Sequence, residues 1–118
     1  MYVDGFILPV KKDQLDVYKR IATEAAALWR EHGALEVKEC VADDVSKGEV
    51  TSFPRSVQAT DDETVVFAWI TYESRADRDR VNEQVMADER MKAMMESGEE
   101  PMDPKRMFFG GFEVIVEA

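Results

Sequence analysis

Cysteine and histidine are almost absent from this 118-residue sequence, which contains one of each, Cys40 and His32. A single cysteine cannot form a disulfide within the chain. One cysteine and one histidine are also too few for the usual zinc ligand sets, although a lone histidine can hold haem. We therefore expect a fold stabilised by its own core, with no metal site and no cofactor.

Positive charge is also scarce, since 15 Lys and Arg stand against 25 Asp and Glu and give a formal net charge of −10. Such an excess of negative charge repels phosphate backbones and anionic lipid surfaces. The basic residues are interleaved with acids, as in the run from Arg75 to Arg80, so no positive stripe is present. Neither nucleic acid nor a membrane is an expected partner of this acidic protein.

Long apolar runs and catalytic motifs are missing as well. The opening residues, MYVDGFILPV, include Asp4 and are too short an apolar run for a signal peptide or a membrane span. The sequence has no P-loop, no dinucleotide-binding fingerprint and no nucleophile elbow. These features predict a cytoplasmic protein and argue against phosphate chemistry and serine hydrolysis.

The clearest structural unit that is present runs from Thr64 to Asp88. Thr64 to Tyr72 is rich in β-branched and aromatic residues, which predicts a buried strand. Ser74 is placed to cap a helix that begins at Arg75, and Asp77 three residues later complements the helix dipole. The unit is therefore a central strand that leads directly into a helix.

The remaining periodicities extend this unit to a whole domain. Alternation and helical spacing predict a strand over 2–10, a helix from an N-cap at Asp13 to His32 with Gly33 as C-cap, a strand over 34–42, a helical segment over 87–97 and a last strand over 107–117. The polar segment 43–63 is too long for an ordinary loop, so it is functional, partly a hairpin or mobile. The order is strand, helix, strand, strand, helix, strand, which predicts one ferredoxin-like α+β domain over residues 1–118: a four-stranded antiparallel sheet with two helices on one face.

The third predicted strand is apolar on both of its faces. Val65, Phe67 and Trp69 lie on one side, and alternate residues from Val66 to Ile70 lie on the other. Two helices cover only one face of such a sheet, so a monomer would expose the other face to water. We therefore expect an obligate homodimer that buries at least about 1,600 Å², the standard size of a specific interface.

Several segments also carry a family resemblance that covers nearly the whole chain. YVDGF with LPV, HGALEVKECVADDV, ETVVFAWITY, RDRVNEQVMAD and RMFFGGFEV resemble the YbaA-like family of small bacterial proteins of unknown function. The resemblance implies membership of the dimeric α/β-barrel superfamily, which includes cofactor-free monooxygenases, muconolactone-type isomerases and haem enzymes. Members have also been labelled as related to signal recognition particle RNA, a label that the negative charge of this sequence does not support. The resemblance supplies no catalytic residues to carry over.

Four residues are candidates for a site. His32 ends the apolar stripe of the first predicted helix, where it is either a general base or a helix-end histidine bonded to a backbone carbonyl. Trp29, one turn earlier, and Asn82 are candidate ligand-binding residues. Trp69 is either a core residue or a ligand platform. Acidic residues at both ends of segment 43–63 match no known calcium loop, so no metal ligands are assigned there.

Two functions of different classes remain open from the sequence, and no signature names a reaction. In the first, a cleft between the helices and the sheet binds a small, largely apolar molecule, with or without monooxygenase-like or isomerase-like chemistry. The second is a non-catalytic dimeric protein-interaction module that uses its acidic loops or its methionine-rich segment. Analogy with the superfamily favours the first function, the binding of a small molecule.

Overall fold

Four antiparallel strands form a single sheet in a computed structural model that describes residues 1–118. The strands are β1 (Tyr2–Lys11), β2 (Glu36–Val41), β3 (Glu63–Tyr72) and β4 (Phe108–Glu113), in the spatial order β2-β3-β1-β4. The central strands β1 and β3 pair along ten residues, from Tyr2 opposite Tyr72 to Lys11 opposite Glu63. The predicted four-stranded antiparallel sheet is thereby confirmed.

The helices are α1 (Leu15–His32), α2 (Phe53–Ser56), α3 (Arg75–Ala87) and α4 (Glu89–Glu96). The predicted N-cap of α1 at Asp13 is wrong, because a 3₁₀ turn over Lys12–Gln14 precedes the helix and no side chain caps it. Its C-cap is confirmed at Gly33, whose φ of 120° favours glycine. None of the helices combines the length and the apolar character needed to cross a bilayer.

Helix α3 begins at Arg75 as predicted, but it ends at Ala87 and does not continue through the helical segment predicted over 87–97. The backbone N–H of Asp77 donates to Ser74 Oγ at 3.1 Å, so the Ser74 cap is confirmed. Asp88 then leaves the helical conformation, with φ −73° and ψ 129°, and its carboxylate accepts from the N–H of Arg90 at 2.9 Å. An aspartate that caps the next helix therefore divides one predicted helical stretch into α3 and α4.

Helices α1, α3 and α4 cover one face of the sheet. The main core cluster consists of seven buried residues from these helices, the turn after α1 and β3: Leu28, Ala34, Ile70, Tyr72, Val81, Val85 and Met91. A second cluster of Leu8, Val10, Val66 and Ala68 continues it along the same face. Every buried side-chain nitrogen or oxygen has a hydrogen-bond partner. The helix-covered half of the molecule therefore contains most of the core, and its buried polar groups are paired.

The opposite face is partly covered by segment 43–63, which is neither a hairpin nor a bare loop. Ser52 caps the single turn of α2 by accepting from the N–H of Arg55 at 3.1 Å. Val57, after this turn, is 1% exposed and packs on Ile7 and Val65. The prediction of helices on one face only is therefore incomplete, because a buried valine ties a one-turn helix to the other face.

The last strand is shorter than the predicted range of 107–117. It ends at Glu113 because that residue pairs with Tyr2, the first residue of β1. Beyond this pair only the Val114 N–H finds a backbone partner, the carbonyl of Met1 at 3.1 Å. Ile115 and Val116 are consequently left exposed.

Candidate functional site

A cavity of about 120 Å³, here called the α1 pocket, lies between α1 and the helix-covered face of the sheet. Helix α1 contributes five residues that lie on one side of the helix: Tyr18, Ala22, Ala25, Ala26 and Trp29. The three central residues are alanines and face a sheet that presents the small residue Ala68. Small side chains at the centre and aromatic ones at both ends leave this space unfilled.

Glu39 is the only charged residue in the wall of the α1 pocket. It lies on β2 at the pocket mouth and accepts a hydrogen bond from the Tyr18 hydroxyl, with 2.6 Å between Oη and Oε1. Removal of water by the surrounding side chains raises the pKa of Glu39, and the Tyr18 bond opposes that rise. Burial, together with the nearby Glu39 charge, also raises the pKa of Tyr18, so the phenol stays protonated as the donor.

Trp29 and Asn82 are brought together, as the prediction that both belong to one site requires. The indole Nε1–H donates to Asn82 Oδ1 at 3.1 Å. The hydroxyl of Tyr72, which is fully buried, donates to the same oxygen at 3.2 Å. Asn82 therefore fixes the orientation of the indole, and the ring of Trp29 forms an inner wall of the α1 pocket.

A buried ion pair lies beside this amide. Asp4 is 4% exposed and accepts from Arg78, with 2.8 Å between Nη1 and Oδ1. The guanidinium of Arg78 also lies 4.9 Å from the centre of the Tyr2 ring, in a cation–π contact. Burial raises the pKa of Asp4, and the charge of Arg78 opposes that rise. Asp4 and Arg78 are each satisfied by protein groups and do not line the α1 pocket.

His32 lies outside the α1 pocket, although its helix forms one wall. Its Nε2 is 2.9 Å from Oδ2 of Asp88, the cap of α4. Asp88 also accepts from Arg90, which donates to Glu31 as well. The Arg90 hydrogen bond and then the His32 bond hold the pKa of Asp88 well below its usual range. The imidazole thus joins the end of α1 to the start of α4 through a carboxylate.

Glu31, His32 and Asp88 present ligand atoms within 4.8 Å of one another, a grouping that in principle can hold a metal ion. The guanidinium of Arg90 already lies between the two carboxylates, with Nη2 2.8 Å from Asp88 Oδ2. This arrangement supplies the positive charge that a cation would bring. We therefore assign no metal ligands here.

Trp69 lies on the face of the sheet opposite the α1 pocket. Its indole Nε1–H donates to Glu36 Oε1 at 2.8 Å, and its ring meets that of Phe67 edge-on at 5.6 Å. We call this surface the aromatic face, and it comprises Phe53, Phe67, Trp69, Phe108 and Phe112. It encloses a shallow concavity of about 900 Å³. Trp69 therefore cannot contact the same ligand as Trp29 within one chain.

Sequence reasoning did not select Tyr18 and Glu39 as site residues. A signal was present for both of them. Tyr18 belongs to the apolar stripe of α1, and Glu39 has the same parity along β2 as Val37 and Val41. An acid on the apolar side of a strand indicates either a partner or a site, and here it has Tyr18 as a partner.

Residues 1–104 match the protein family DUF1428, whose description is "Protein of unknown function". The chain belongs to this family. It is 48% identical over 116 residues to the uncharacterised protein YbaA of Escherichia coli K12, with 98% of this chain and 97% of YbaA covered. An uncharacterised YbaA of Shigella flexneri matches to the same extent. The resemblance to a YbaA-like family is thereby confirmed.

Solved structures with low sequence identity to this chain share the fold. An uncharacterised NIPSNAP domain protein from Burkholderia xenovorans superposes with a TM-score of 0.65 at 13% identity, covering 100% of this chain and 98% of the other. Protein Atu4242 from Agrobacterium tumefaciens superposes with a TM-score of 0.60 at 11% identity, covering 96% and 92%. At these identities the likeness concerns the fold alone.

Proposed function

We propose that the protein binds a small, largely apolar molecule in the α1 pocket. The observation that carries this proposal is a cavity with an almost wholly apolar wall and a single carboxylate at its mouth. Binding sites for small molecules typically combine an apolar lining with a few placed polar groups. The volume of about 120 Å³ is close to that of a cavity of roughly 150 Å³ that takes up benzene. A single ring is therefore the right size of ligand.

In this proposal Trp29 contacts the ligand and Asn82 acts as a positioning residue that holds the indole. Trp69 is instead assigned to the surface between two copies. A general-base role for His32 stays a prediction, because the imidazole lies outside the pocket wall and is bonded to Asp88. Whether a reaction of the monooxygenase or isomerase type follows binding depends on the ligand.

We further propose that residues 1–118 form one ferredoxin-like domain of a dimeric α/β barrel. The strand order β2-β3-β1-β4 and the packing of α1, α3 and α4 on one face support this arrangement. The exposed rings of the aromatic face supply the reason for a second copy, since burying them removes a contiguous apolar surface from water. A cytoplasmic location stays a prediction from the sequence.

Toluene is a suitable probe for the α1 pocket because it consists of one ring without polar groups. We expect it to bind with a dissociation constant of about 1 mM, measured by NMR titration. Ala25→Leu, which replaces a methyl group in the wall by an isobutyl group, should weaken binding at least tenfold. Ala27→Leu makes the same change on the exposed side of α1 and should leave binding unchanged.

Equal binding by both variants would contradict the proposal, as would shifts confined to the aromatic face. Such results would favour the second candidate, an interaction module for another protein. One observation supports that candidate: Met95 is 68% exposed and Met86 46% exposed on the helical side. Native mass spectrometry of the purified protein adds an independent test, because a bound small molecule would appear as a mass difference.

A further inference from the structure

The polar end of the α1 pocket consists of the Tyr18 hydroxyl and the Glu39 carboxylate. The only other polar group in the wall, the indole N–H of Trp29, is already used by Asn82 at 3.1 Å. A ligand in the pocket therefore meets apolar carbon everywhere except at this pair. These two groups therefore determine which polar group on a ligand can be bound.

We propose that the Tyr18–Glu39 pair makes the α1 pocket selective for small ring compounds that carry a hydroxyl group, such as phenols, over hydrocarbons of the same size. This inference rests on the proposed function, since it names the ligand class of the same pocket. It assigns the two residues a role in recognition, with Glu39 as the acceptor and Tyr18 as the group that holds it.

The geometry of the pair leaves the second carboxylate oxygen of Glu39 free to accept from a ligand. Tyr18 donates to Oε1 of Glu39 at 2.6 Å, and Oε2 has no hydrogen-bond partner in the protein. An ionised carboxylate accepts hydrogen bonds and cannot donate them. A hydroxyl on the ligand therefore has a partner at Oε2, whereas a ligand carbonyl has none.

The charge of Glu39 excludes a second class of ligand. The wall of the α1 pocket contains no basic residue that would offset a second negative charge. A carboxylate on the ligand would meet Glu39 with no cation between the two like charges, which repel each other. Benzoate-like anions should therefore be rejected, although their rings fit the same space.

Hydrogen bonds to a charged acceptor are about twice as strong as neutral ones. We therefore expect phenol to bind to the unaltered protein at least about tenfold more tightly than toluene. Benzoate should show no binding at the same concentrations. Glu39→Leu should remove the advantage of phenol while toluene still binds, because the leucine keeps an apolar wall.

A competition experiment tests the inference, with toluene, phenol, benzoate and benzylammonium titrated by NMR against the protein and its variants. Glu83→Leu removes an exposed carboxylate from α3 and serves as the matched control, which should keep the preference for phenol. Tyr18→Phe should lower the preference less than Glu39→Leu, since it removes only the group that holds the acceptor. Circular dichroism establishes that each variant is folded.

The outcomes separate this inference from the proposed function. Suppose that toluene binds and that Ala25→Leu blocks its binding. The pocket proposal then stands, but the assignment of Glu39 is wrong if phenol binds no more tightly than toluene, or if phenol keeps its advantage in Glu39→Leu. Tightest binding by benzylammonium would overturn the hydroxyl class in favour of a cation. If none of the four probes binds, the pocket proposal and this inference both fail.

Discussion

The guanidinium of Arg106 meets the carboxylate of Glu63 through two parallel hydrogen bonds, Nη1 to Oε1 at 2.8 Å and Nη2 to Oε2 at 2.7 Å. Arg106 also donates to the Gln58 carbonyl at 2.9 Å and to Asp103 Oδ2 at 2.9 Å. Glu63 begins β3, and Arg106 precedes β4. One arginine thus joins the end of segment 43–63, the first residue of β3 and the approach to β4.

This pair predicts a specific loss of stability in acid. The Arg106 hydrogen bonds are the main cause that lowers the pKa of Glu63 to about 2, whereas an unfolded glutamate titrates near 4.3. Because the pKa of Glu63 is lower in the folded state, its carboxylate stabilises the fold at pH values above the pKa of the unfolded state. This stabilisation is lost as the pH falls from about 4.3 to about 2. Glu63→Gln should therefore be less stable at pH 7, by about 2 kcal/mol.

Urea unfolding between pH 7 and pH 2 measures this effect. The difference between Glu63→Gln and the unaltered protein should shrink as the pH falls through that window. Glu83→Gln, at an exposed position, should follow the unaltered protein at every pH. A constant difference across the range would show that Glu63 does not titrate as proposed.

The ion pair of Asp4 and Arg78 predicts a large effect of removing one partner. Arg78→Ala leaves the Asp4 carboxylate buried without its cation, and we expect a loss of about 3 kcal/mol in the free energy of unfolding. Arg75→Ala removes an exposed arginine from the same helix and should cost no more than about 0.5 kcal/mol. Equal losses in the two variants, measured by urea unfolding, would contradict a structural role for the pair.

Gly111 allows a close approach that an added methyl group would block. A Cβ at this position would lie 2.7 Å from Cε2 of Tyr2 and closer still to its hydroxyl oxygen. Tyr2 cannot move freely because Arg78 contacts its ring and its hydroxyl. Gly111→Ala should therefore destabilise the fold by about 1–3 kcal/mol, an effect of overpacking.

The neighbouring Gly110 provides the control for that substitution. A Cβ there meets only the Phe112 ring, at 3.7 Å, which is an ordinary contact. Thermal unfolding should show a clearly smaller change for Gly110→Ala than for Gly111→Ala. Combining Gly111→Ala with Tyr2→Ala should restore part of the loss, and failure to do so would mean that the clash is not with Tyr2.

The proposed dimer predicts an effect of charge on the aromatic face. Phe67 is 42% exposed at the centre of that face, between Phe53 and Trp69. Phe67→Glu should convert a dimer into a monomer in light scattering at micromolar concentration, because a buried unpaired charge opposes association. Met95→Glu, on the helical side, should remain dimeric. An unaltered protein that is monomeric at that concentration would overturn the proposal.

Local patterns predicted the strands and the cap at Ser74 because each depends on residues close together in the sequence. Alternation in 64–72 and the Ser74 cap need no knowledge of distant segments. The break at Asp88 was not predicted, because the apolar residues around it keep helical spacing whether the aspartate caps a new helix or continues the old one. The one-turn helix in segment 43–63 was not predicted, because the order of this segment depends on the packing of Val57 against Ile7 and Val65.

The site was predicted in part for the same reason. Trp29 could be placed on the inner side of α1 from its spacing alone, but the bond to Asn82 joins residues 53 positions apart. His32 continues the same stripe, yet a carboxylate 56 positions away turns it from the pocket. The Tyr18–Glu39 contact depends on how α1 crosses β2, which no local pattern specifies.

Strand β2 forms one edge of the sheet, so the outer side of its backbone has no strand partner. Three of its six residues, Glu36, Lys38 and Glu39, are charged. Natural sheets use such charges to discourage the addition of strands from other molecules. Growth into ordered aggregates through this edge should therefore be disfavoured. Association would be limited to surfaces that form closed assemblies such as a dimer. Glu39 belongs both to the proposed ligand site and to the charged residues of this edge, so an engineered change at Glu39 should be checked for aggregation as well as for binding.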